Sequence, residues 1–82
     1  MNTVEFKTVS PLFEMERDGI KPFTTRNLGK NDPRYDVLLE AIYCVTPTDI
    51  KITNPTTNES FTRRIKHVSW VLWTTDWQNI HW

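Results

Sequence analysis

Apolar and polar side chains alternate from the start of the chain. Val4 and Phe6 fall between Thr3, Glu5 and Lys7, the period of a strand with one face buried, so residues 3–9 read as a strand. Ser10-Pro11 then opens a helix. A serine hydroxyl caps free amides, and proline fits the first helical position, where its missing N–H costs nothing. Leu12, Phe13 and Met15 supply an apolar face, and Glu14 and Glu16 lie near the positive end of the helix dipole. Gly19 closes the helix, because glycine takes the left-handed geometry a helix end requires. Residues 21–26 are extended: Pro22 does not suit a helix interior, and Phe23, Thr24 and Thr25 favour strands. A polar loop follows over 27–33. Val37, Leu38, Ala41 and Ile42 recur at helical spacing and predict a second short helix over 36–43, although the apolar run from Ile42 to Val45 also suits a strand.

Pro47 ends that segment. Residues 49–53 alternate cleanly and predict a strand. Asn54-Pro55-Thr56-Thr57-Asn58 is a turn, and 61–65 and 67–73 predict two more strands. Val68, Trp70 and Leu72 share one face of the last run. Strands 50–53 and 60–66 are expected to pair as an antiparallel hairpin across the turn. The pattern as a whole is α+β and mostly antiparallel.

At 82 residues the chain holds one domain, spanning 1–82. Ten basic residues balance ten acidic ones, which excludes gripping a nucleic acid by bulk charge but leaves room for a local basic patch. No apolar run is long enough to span a bilayer, and polar residues interrupt the first positions where a leader would need an apolar core, so no membrane association is expected. Cys44 is the only cysteine, so no intrachain disulfide staples the fold, and a cytoplasmic protein is expected. Its neighbours Ala41, Ile42, Tyr43 and Val45 read it as a packing residue. Stability must then come from the core, to which ten aromatic side chains contribute.

The segment Asp18-Gly19-Ile20-Lys21-Pro22-Phe23-Thr24-Thr25-Arg26 runs from a helix end into a strand. Strand alternation points Thr24 and Arg26 the same way, and Lys21 lies where it can swing toward them. An ammonium, a hydroxyl and a guanidinium facing one concavity suit a phosphate or a base edge. An ordinary exposed strand face is the other reading of the same residues.

Gly19-x-Lys21-x-x-Thr24-x-Arg26, preceded by a short helix carrying Phe13, resembles the signature of ASCH domains, a branch of the PUA-like β-barrel superfamily. Thr48-Asp49-Ile50-Lys51-Ile52, the turn at 54–59 and Phe61-Thr62-Arg63-Arg64-Ile65 extend the similarity over roughly residues 4 to 72, closest to the small ASCH-like proteins of phages and prophages. The resemblance implies a small, mostly antiparallel β-barrel with one or two short helices. It implies RNA, single-stranded nucleic acid or a nucleotide as partner, held beside the helix-to-strand motif by Lys21, Thr24 and Arg26 with help from Arg64 and Lys66. A smaller group with this pattern are acetylcytidine amidohydrolases. By that likeness Thr24 would be the nucleophile and Lys21 its base, and the third carboxylate would fall to Asp76, since no glutamate follows Glu59.

Two other features remain open. Arg63-Arg64-x-Lys66-His67 is a basic cluster that either adds to a phosphate cleft or guards a strand edge with charge. Trp70, Trp73, Trp77 and Trp82 crowd the C-terminal part. Trp70 reads as core, whereas Trp77 and Trp82 suit either core packing or a protein partner, such as a host enzyme or defence factor. His67 and His81 are far apart in sequence and lack cysteine or carboxylate spacing, so no metal and no cofactor are expected.

Overall fold

Six strands and two helices alternate along the chain in the computed structural model, which describes residues 2–43, 46–70 and 77–82. They are β1 (Asn2–Lys7), α1 (Leu12–Arg17), β2 (Phe23–Asn27), α2 (Pro33–Tyr43), β3 (Thr48–Thr53), β4 (Ser60–Arg64), β5 (His67–Trp70) and β6 (Trp77–His81). The strands form two three-stranded sheets, ordered β1-β3-β4 and β2-β6-β5. The expected hairpin is present, with Ile52 opposite Phe61 and Ile50 opposite Arg63. Asn54 builds its turn: the buried side chain accepts the Thr56 amide at 3.0 Å, and Asn58 takes the positive φ of 63° that asparagine tolerates.

One ladder is parallel. β1 pairs with β3 in register from Asn2–Thr48 to Lys7–Thr53, and α1, β2 and α2 all lie in the crossover between them. The other three ladders are antiparallel. Inward faces of both sheets meet in one core. Val4, Phe6, Ile50, Ile52 and Phe61 come from the first sheet, Val68 and Ile80 from the second, and Phe13, Leu28, Tyr35 and Leu38 from the helices and loops.

Three elements differ from their sequence reading. Helix α2 begins at Pro33, inside the expected loop. Asp32 accepts the Arg34 amide at 2.9 Å and caps the helix, and proline occupies the first turn. At α1 the cap position belongs to Pro11, with no side-chain cap, because Ser10 lies one residue too early. Its hydroxyl donates to the Glu14 carboxylate and accepts from Asn54 at 3.1 Å. The expected apolar face of α1 also narrows to Phe13, since Leu12 is exposed, and Glu16 is buried beside Phe13 instead. β6 was hidden by an inverted pattern: it buries Gln78 and Ile80 and leaves Trp77 exposed. Strand 67–73 is described only to Trp70; Leu72, Trp73, Cys44 and Asp76 lie outside the described residues. No helix among the described residues is long and apolar enough to cross a membrane.

A cleft between two sheet edges

Arg26 is the first residue to place. It stands on the inward face of β2, opposite Gln78 of β6. Its Nε donates to the buried Thr24 hydroxyl at 3.0 Å, one Nη donates to the Lys7 carbonyl at 3.0 Å, and the other donates to the Thr8 hydroxyl. These bonds tie β2, an edge of one sheet, to the end of β1, an edge of the other. Among the described residues no carboxylate lies within ion-pair distance of Arg26. Burial pulls its pKa below the ordinary value, the Glu16 charge opposes that shift, and the neighbouring Arg34 adds to it. A guanidinium stays charged regardless. A half-buried cation without a counter-ion is costly for a fold to keep, and such groups cluster at ligand sites.

Arg34 comes from the first turn of α2. It is held by Asp32 through Nε at 3.0 Å and Nη2 at 2.7 Å, and its Nη1 donates to the Glu5 carbonyl at 2.7 Å. The Arg34 contact holds the Asp32 carboxyl well below the usual carboxylate range, at about 2. Both guanidiniums lie over the Phe6 ring, Arg34 at 4.6 Å and Arg26 at 5.1 Å from its centroid. Together with Lys7, Lys51 and the exposed Trp77 they line a cleft of about 900 Å³. Among the described residues Glu5 is the sole carboxylate on its wall, and it lies 3.5 Å from Lys51. Each guanidinium has five N–H groups and spends three of them on bonds among the described residues.

Of the three residues expected to share a hollow, only Arg26 reaches this cleft. Thr24 is buried behind it as its bracket. Lys21 is held elsewhere: its ammonium lies 2.7 Å from Glu16, donates to the Phe23 carbonyl at 3.0 Å and rests over the Phe23 ring. Gly19, at φ +82°, reverses the chain after α1, and the Lys21 amide bonds back to Met15. The chain therefore folds Lys21 onto its own helix. The sequence reading assigned Glu16 to the helix dipole and not to Lys21. The spacing of three between Phe13 and Glu16 places both on the buried face and was the available signal.

The remaining candidates divide. Arg64 and Lys66 line a separate hollow of about 270 Å³ with Thr46, Thr48 and His67, and Arg64 pairs with Asp49 at 2.6 Å. Trp77 stands on the cleft, whereas Trp82 packs against the core with its ring 6.1 Å from that of Phe61. Behind Arg26, a row of side chains crosses the sheet: Arg26, Gln78, Trp70. Among the described residues, both polar atoms of the buried Gln78 amide, the Trp70 indole N–H and one oxygen of Glu16 have no partner. For amidohydrolase chemistry, the Lys21 ammonium and the Thr24 hydroxyl are bonded to different groups, and Thr24 is inaccessible. No known protein family, curated relative or solved structure matches the chain.

Proposed function

We propose that this protein binds a nucleotide unit of RNA or another single-stranded nucleic acid in the cleft between β1 and β2. The observation that carries this reading is the pair of guanidiniums over Phe6, one of them half-buried and, among the described residues, in no ion pair. Planar forks of this kind match phosphate oxygens. Trp77 offers a face on which a base stacks without regard to sequence. A cleft of about 900 Å³ suits one or two nucleotides rather than a long duplex tract. The likeness of Gly19-x-Lys21-x-x-Thr24-x-Arg26 to ASCH domains supports the same reading, and with it a PUA-like barrel as the parent architecture. The motif's roles are then redistributed. Arg26 meets the ligand, Thr24 positions Arg26, and Lys21 neutralises Glu16.

The experiment is a calorimetric titration of the intact protein with a short single-stranded RNA and with a nucleoside monophosphate at low salt. Saturable binding is expected, weakened about tenfold or more by Arg34→Ala or Arg26→Ala and unchanged by Lys66→Ala, which lies on the other hollow. Absence of saturable binding to either ligand, or an affinity indifferent to both arginines, would overturn the proposal.

A further inference from the structure

The outer face of the β2-β6-β5 sheet carries a second cluster that the cleft does not use. His67 of β5 and His81 of β6 are direct cross-strand partners, and Phe23 of β2 is the partner of His81 on its other side. The three rings form one row. The imidazole centroids are 5.9 Å apart with planes at 44°, and the Phe23 ring lies 5.7 Å from His81. Phe23 flanks the His81 ring on one side and His67 flanks it on the other. The backbone beneath the pair is fixed by the Lys66 amide, which donates to the His81 carbonyl at 2.8 Å.

We propose that His67 and His81 together form a two-imidazole site for a borderline transition metal ion such as zinc or copper. Two imidazoles bound to one tetrahedral zinc, with Zn–N near 2.0–2.1 Å, place their ring centres roughly 5 Å apart. A small side-chain rotation from 5.9 Å reaches that spacing. Neutral imidazole nitrogen suits zinc, copper and nickel and discriminates against magnesium and calcium, which take oxygen. Among the described residues no group of three or more histidine, cysteine, aspartate or glutamate side chains converges. The described residues therefore supply two ligands, and the metal's remaining positions are open to water or to a further donor. It clips β5 to β6 at the end of their ladder beside Phe23, so binding stabilises the folded chain in proportion to occupancy.

The test is thermal unfolding of the intact chain, followed by circular dichroism, with and without excess zinc chloride, together with copper electron spin resonance. Zinc is expected to raise the midpoint by several degrees and magnesium to leave it unchanged, and the copper spectrum is expected to show two coordinated nitrogens. His67→Gln, at an exposed position, and His81→Gln each abolish the shift, and Cys44→Ser keeps it. A shift that survives either histidine substitution, a shift lost in Cys44→Ser, or no shift at millimolar zinc overturns the assignment.

Discussion

Arg26 combines two roles that are usually separate, since it locks two sheet edges together and faces the cleft with no carboxylate within ion-pair distance among the described residues. Gln78, its neighbour across the ladder, is buried, and among the described residues neither amide atom has a partner. An orphaned buried amide costs about 1–3 kcal/mol, so an apolar replacement of similar shape is expected to be neutral or stabilising. Urea unfolding of Gln78→Leu should show an equal or higher midpoint, and a clear loss of stability would mean that the amide has a partner in solution. Asp32 carries the pH dependence at this scale. Its folded pKa of about 2 lies below the ordinary 3.8 because Arg34 bonds to it. The stability it contributes is present above the ordinary value and is lost as pH falls from near 4 through 2. Unfolding midpoints measured across that window should fall less steeply in Asp32→Asn than in the parent chain.

Among the elements, α2 and β6 depend on opposite kinds of signal. α2 starts where Asp32 caps it, and Asp32→Ala is expected to lower stability by about 1 kcal/mol at neutral pH, measured by urea unfolding. The Asp-Pro pair was legible but lay inside a segment rich in turn formers, so the loop reading prevailed over the cap. β6 was not legible. Strand recognition assumes that apolar residues point inward, yet Gln78 is buried and Trp77 faces the cleft. A buried amide beside an exposed indole inverts the pattern at the start of the strand, so apolar periodicity does not reveal it. β1, β3 and β4 were read nearly to their ends, because Val4, Phe6, Ile50, Ile52 and Phe61 keep strict alternation against a single core.

At the scale of the molecule, a chain with no net charge sets four cations around one cleft against a single carboxylate, counted among the described residues of its wall. Binding should consequently weaken with salt, but gently. Contact with about two phosphates gives a slope of log K against log salt of about −1.4 for a single strand. A titration series in sodium chloride measures it, and a slope several times steeper would mean that the second basic hollow at Arg64 and Lys66 also takes part. The core bears the fold itself. Ile50, fully buried on the central strand β3, should cost roughly 2–5 kcal/mol when replaced by alanine.

Local chemistry along the chain determined the α+β class, the β3–β4 hairpin, the close of α1 at Gly19 and the pairing of Thr24 with Arg26, because each follows from side-chain periodicity or turn geometry within a few residues. Tertiary structure alone decided the rest. It set β1 parallel to β3, brought Arg34 over the same ring as Arg26, turned Lys21 onto Glu16, and laid His67 beside His81. Those juxtapositions join residues from separate elements. Periodicity tells which face a side chain occupies, but only the packing of one element on another tells what it meets there.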